Sequence, residues 1–252
     1  MLTMQAMTAR TQRVVNYITT SSNWPSSNVA TATSLNGGAG KWTTASDDPS
    51  SPNFLAIKKT ILAAMRIVNL LTNSHVKFSN MRIVLGPDDA LAIASSSEIT
   101  NYVRETPFSR EIQERTHSGA NLNELWGLPA MYTGLPIIVE DASIVLGASA
   151  SAGPLPYVAA SEPGGAGQAT VGADRVYVWP KGTAVLLSRI GGLDGIYGAQ
   201  SFSTVQLYHY KQLLRVSAFD DPKHERTDIH VTEQVAVVIA GDVAGVMITG
   251  IS

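Results

Sequence analysis

The chain has 252 residues, 44% of them apolar and only 15% charged, with a formal net charge of -2 and no cysteine. That length can bury a sizeable core as one large domain or two small ones, while the missing cysteines exclude disulfides and thiolate metal sites. A near-neutral charge with no run of lysine or arginine argues against tight, direct DNA binding. So little charge to solvate a free surface points to surface buried against other copies.

No membrane span is expected, because the apolar segment 52–71 carries Lys58, Lys59 and Arg66 in its middle. The first 16 residues lack the basic end, apolar run and cleavage site of a secretory signal, so synthesis in the cytoplasm is expected.

Residues 2–18 hold Met4, Met7, Val14, Val15 and Ile18 with few breakers, and predict a helix. Residues 19–51 are rich in Ser, Thr, Asn, Gly and Pro and nearly uncharged, which on composition alone is a flexible linker. Two tryptophans in it, Trp24 and Trp42, argue instead for an extended hairpin lying on a neighbouring subunit, since large rings anchor contacts. Ser51 and Pro52 then read as the cap and first position of a helix. Phe54, Ile57, Ile61, Met65, Val68 and Leu71 continue it at helical spacing, opposed by Lys58, Lys59, Arg66 and Asn69.

Met81-Arg82-Ile83-Val84-Leu85 reads as a strand, and Gly86-Pro87-Asp88 as its stop and the cap of a helix over 89–94. A short helix is expected over 99–104, and another capped by Asn121 that runs to Trp126 and ends at Gly127. Leu135-Pro136-Ile137-Ile138-Val139 is a buried strand, and 147–172 a long Gly- and Pro-rich loop. Strands follow at 175–179 and 184–188. A long hairpin then has limbs at 207–219 and 229–239 and a polar tip at 220–226. No internal repeat is present, which removes solenoids and propellers.

No motif carries recognisable chemistry, and no active site is expected. Asn36-Gly37-Gly38-Ala39-Gly40-Lys41 has Leu35 where a phosphate-binding loop needs glycine and Trp42 where it needs Ser or Thr. Gly165-Ala166-Gly167 lacks the third glycine of a dinucleotide fold. Gly147-Ala148-Ser149-Ala150-Ser151 lacks the second glycine of a nucleophile elbow. Asp221, His224, Glu225, Asp228 and His230 are ligand types, but their spacing matches no metal motif and a charged hairpin tip explains them equally. No cofactor or metal is expected.

The order of these elements resembles the major capsid proteins of tailed phages with the Hong Kong 97 fold. The resemblance divides the chain into an N-terminal helical segment (1–20), an extended loop (21–50), a spine helix of a peripheral domain (51–79) and a compact, mostly axial domain (80–174). Strands and a long hairpin of the peripheral domain (175–239) and a closing strand (240–252) follow. It implies an α+β fold and self-assembly into pentamers and hexamers of an icosahedral shell that encloses DNA without sequence-specific contact. Assembly takes place in the host cytoplasm, and the mature protein resides in the virion. Scaffolding, portal and minor capsid proteins are further implied partners. Family members often begin with a longer arm, so the short segment before the loop reads as a processed or short-armed form.

On that resemblance Trp24 and Trp42 lie across an adjacent subunit, and Asp220, Asp221, Lys223, His224, Glu225 and Arg226 meet other capsomers, where weak contacts sum by repetition. Replacing Trp42 with alanine is then expected to leave a folded subunit that cannot assemble. An encapsulin-like nanocompartment shell protein shares the implied fold. A β-rich adhesion or virion surface protein suits the Ser/Thr/Gly loops but does not need the spine helix. A metal-dependent hydrolase using His224 and His230 is the enzyme alternative.

Overall fold

Alternation along Met81-Arg82-Ile83-Val84-Leu85 puts Met81, Ile83 and Leu85 on one side, and in the computed structural model all three are buried in the middle of a mixed sheet. The structure describes residues 2–38, 40–105, 122–123, 126–145, 175–190, 202–210, 215–221 and 226–252. The expected loop over 147–172 lies outside them.

The described helices are α1 (Leu2–Thr19), α2 (Ala32–Leu35), α3 (Ala56–Leu71), α4 (Pro87–Ala94) and α5 (Ser97–Glu105). The strands in the first half are β1 (Val29–Thr31), β2 (Met81–Leu85), β3 (Leu122–Asn123), β4 (Leu128–Pro129), β5 (Met131–Tyr132), β6 (Leu135–Val139) and β7 (Ser143–Val145). Those in the second half are β8 (Arg175–Tyr177), β9 (Thr183–Ile190), β10 (Phe202–Ser203), β11 (Val205–His209), β12 (Arg215–Asp221), β13 (Arg226–Thr232), β14 (Val235–Ile239) and β15 (Val246–Thr249). The fold is α+β, as expected.

The main sheet runs β1-β15-β9-β2-β6-β5, with β10 hydrogen-bonded to β9. Pairs β1–β15 and β2–β6 are parallel, and β15–β9, β9–β2 and β5–β6 antiparallel. Both faces are covered, and the twofold periodicity of the strands assigns the side chains. Leu186, Val246 and Ile248 join a large core with Ile57, Ile61, Met65 and Val68 of α3, while Val185 and Met247 join a second core with Val15 and Ile18 of α1. No described helix is long and apolar enough to cross a membrane.

Several expectations are corrected. The helix expected from Pro52 begins at Ala56. Residues 53–55 form a bridge with Ser46, whose N–H donates to Asn53 O at 3.1 Å and whose carbonyl accepts from Leu55 N–H at 2.7 Å. The bridge occupies the Leu55 N–H, and Leu55 turns the chain with φ +51°, in the left-handed region that side chains rarely adopt, so the helix starts after it. Leu122–Asn123, expected in a helix, is a strand paired with Leu128–Pro129, and Gly127 just before the second strand has φ +69°.

The segment 21–50 is not an extended hairpin in this structure. It folds onto its own chain through two short 3-10 turns, β1, α2 and a further 3-10 turn over Trp42–Thr44. Its polar composition is used in hydrogen bonds rather than in solvent. The Asn28 amide donates to Asp242 O at 2.9 Å and Gly245 O at 2.7 Å, and Thr31 and Ser34 cap α2 reciprocally. In the sheet β2 pairs on one side with β6 and on the other directly with β9. The closing strand β15 is an interior strand between β1 and β9.

Candidate assembly surface

The long hairpin of the last third is present, in two parts. At its root β11 pairs with β14, Val205 opposite Ile239 through His209 opposite Val235. Beyond a break, β12 pairs with β13, Arg215 opposite Thr232 through Asp221 opposite Arg226. Each is a two-stranded sheet of its own, so this arm leaves the main sheet. Such ribbons are marginally stable alone.

At the root, Val205 and Ile239 lean on the core beneath α1, and alternation turns Tyr208, Ala236 and Val238 outward. Tyr208 is 54% exposed and its hydroxyl donates to Gln206 Oε1 at 2.6 Å. The root is clamped to α1 by charge. Arg10 Nε donates to Glu233 Oε1, and Arg13 lies 3.8 Å from Glu233 Oε2. An open cleft of ≈ 580 Å³ follows this junction, lined by Arg13, Tyr208, His209, Tyr210, Glu233 and Ala236. Arg10, Arg13 and Glu233 were not legible as partners in the sequence, because 223 residues separate Arg10 from Glu233.

Of the sequence-derived interface residues, Asp220 and Asp221 fall at the end of β12 and Arg226 opens β13, so the structure brings them to the far end of the arm. Lys223, His224 and Glu225 lie outside the described residues. His230 stands in β13 opposite Ser217. Among the described residues no group of three or more His, Asp or Glu side chains is placed to hold a metal ion.

Trp24 and Trp42 are corrected: both are buried inside their own chain and have no ring surface left for a neighbour. Trp24 is 5% exposed, packs in the core beneath α1, and donates its indole N–H to Ile18 O at 2.7 Å. Trp42 is 1% exposed in the α3 core, and its backbone N–H donates to Ile251 O at 2.9 Å. The physical argument that a tryptophan seeks burial holds. The chain's own sheet satisfies it.

Among the described residues α3 also exposes Leu62, flanked by Lys58, Lys59 and Arg66, and Leu70 and Leu71 at its end.

No family model matches the sequence, and no curated protein does. Among solved structures the fold is similar to that of a phage-related protein from Bordetella bronchiseptica RB50, with a TM-score of 0.58 and 15% sequence identity. The match covers 99% of this chain and 65% of that one, so this chain spans about two thirds of its neighbour's length.

Proposed function

We propose that this chain is a structural protein of a phage particle, and within that class a major capsid protein of the Hong Kong 97-like fold that self-assembles into pentamers and hexamers of an icosahedral shell around DNA. The observation that carries this reading is the fold shared with a phage-related protein over 99% of the chain. Three features of the chain itself support it. Its order of elements is the one that resembles the capsid family, its charge content of 15% is low for a free surface, and its two-stranded arm stands away from the main sheet. In this reading the protein acts by geometry. Repeated weak contacts between copies sum to a closed shell, and no catalytic group, cofactor or membrane takes part.

The test is negative-stain microscopy of the purified chain across a range of salt concentrations, followed by analysis of what the particles enclose. Closed shells or rings of five and six support the reading, and enclosed nucleic acid supports the viral form of it. A monodisperse monomer that stays so, also with phage scaffolding protein added, overturns it.

A further inference from the structure

Among the described residues, the distal ribbon of the arm has an unpaired edge along β12. Among the described residues β12 pairs only with β13, while α1 packs against β13 and β14. Among the described residues no other strand lies beside the outer backbone N–H and C=O groups of β12, and the middle of that edge carries small or apolar side chains, Val216 being 58% exposed and Ala218 exposed, with the exposed Arg215 at its start. An open edge of this kind is a template for another strand.

The sequence of β12, Arg-Val-Ser-Ala-Phe-Asp-Asp, is complementary to itself when reversed. Laid antiparallel on a second copy with Ala218 opposite Ala218, it sets Arg215 opposite Asp221 at both ends and Ser217 opposite Phe219 between them. Opposite charges directly across an antiparallel pair stabilise it, and like charges oppose it. A slip by one residue in one direction exchanges both charge pairs for Arg215 opposite Asp220, and a slip in the other direction breaks them. Within its own hairpin Asp221 already stands opposite Arg226, so the paired sheet has the ladder Arg226, Asp221, Arg215 across three strands.

We infer that β12 is an edge-to-edge contact between two copies of this chain, paired antiparallel about a twofold axis through Ala218, which joins two marginal two-stranded ribbons into one four-stranded sheet. This rests on the self-assembly reading and deepens it, by naming the strand and the register through which one arm holds another. The contact is isologous, the same patch on both copies.

The absence of native cysteine makes the register directly measurable. Ala218→Cys places two thiols opposite each other at about 4.5–5.5 Å between Cα atoms, within disulfide reach. Val216→Cys places them four residues apart along the ladder, roughly 13 Å, beyond it. Under mild oxidation the full chain with Ala218→Cys is expected to run as a covalent dimer on a non-reducing gel at ten times or more the yield of Val216→Cys.

Adding Arg215→Asp to Ala218→Cys, or adding Asp221→Arg to it, is expected to lower that yield about fivefold or more through like charges at both ends. Mixing the two double variants restores it, because Asp at 215 of one copy then meets Arg at 221 of the other while both native partners remain. Equal yields from positions 216 and 218, or no rescue on mixing, overturn the register. Shells in the microscope without the Ala218→Cys dimer overturn the edge contact and leave the shell reading standing. The specific dimer without any particle does the reverse, and neither dimer nor particle overturns both.

Discussion

Glu98 accepts the backbone N–H of Ile57 through Oε2 at 3.0 Å, across 41 residues of sequence, and through Oε1 that of Lys58 at 2.8 Å. A carboxylate in α5 thereby caps α3, whose own N-cap residue, Leu55, has no side chain that can. The first N–H groups of a helix lack internal partners and carry partial positive charge, so a buried anion there supplies both hydrogen bonds and favourable electrostatics. Tyr132 completes the arrangement, donating its hydroxyl to Oε1 at 2.6 Å, and its ring stands edge-on to Tyr102 at 4.8 Å. Burial first, then the hydrogen bond to Glu98 and its charge, pushes the Tyr132 phenol up, so it serves as a donor at any ordinary pH.

Glu98→Ala is expected to cost about 3 kcal/mol, because it leaves two helix N–H groups and the Tyr132 hydroxyl buried without acceptors. Tyr132→Phe removes only one donor and is expected to cost about 1 kcal/mol. Urea unfolding of the two variants checks the ranking. Equal losses show that the capping bonds contribute nothing beyond the tyrosine.

Trp42→Ala is expected to unfold or strongly destabilise the subunit, in place of the folded, assembly-defective protein that the extended-loop expectation requires. The side chain is 1% exposed in the core against α3, and truncating a buried tryptophan costs roughly 3–5 kcal/mol. Its indole N–H is buried without a hydrogen-bond partner, so Trp42→Phe loses packing but also removes an unsatisfied donor, and is expected to cost about half as much or less. Circular dichroism melting of both variants decides between core and interface. A Trp42→Ala protein that melts like the parent returns the residue to the surface.

Asp89 predicts how stability varies with pH. It is fully buried on α4, where its Oδ2 accepts the N–H of Gly182 at 2.7 Å, while Oδ1 has no hydrogen-bond partner. Burial raises its carboxyl from 3.8 to about 6, against the opposing pull of the Gly182 N–H, the Ser252 hydroxyl and Lys181, with a further push from Asp88. A carboxyl whose pKa rises on folding binds its proton more tightly in the folded state. Stability is therefore greatest below the unfolded value and falls as pH climbs toward about 6, by roughly 3 kcal/mol in all. Asp89→Asn cannot ionise and keeps an acceptor for Gly182. Subtracting its urea midpoints from those of the parent between pH 4 and pH 7.5 is expected to show the parent losing ground as pH rises, and a flat difference removes this role for Asp89.

Local pattern was enough for the elements whose side chains obey one period. The helix at 2–18, the helices following Gly86 and near Ile99, the strands at Met81 and Leu135, and the long hairpin all appear within a few residues of where periodicity puts them. The charged end of that hairpin was legible for the same reason, since Asp220, Asp221 and Arg226 interrupt two apolar, alternating limbs. What failed were boundaries and destinations. Pro52 is a good first helical residue by local preference, yet the bridge to Ser46 takes the Leu55 N–H and Leu55 is left-handed, so the helix starts at Ala56.

The amino-acid sequence by itself determined that this chain has no disulfide or thiolate chemistry, an α+β sequence of elements, and a long hairpin with a charged tip. Those properties are written in composition and in periods of two and 3.6, which each short segment carries alone. Only the tertiary structure decided that Trp24 and Trp42 face inward, that Glu98 starts α3, and that Arg10 and Arg13 hold the arm through Glu233. Each depends on which distant backbone or charge arrives at a side chain. A tryptophan's preference for burial is the same against its own sheet as against a neighbour, so the sequence states the preference, and the topology chooses the surface that meets it.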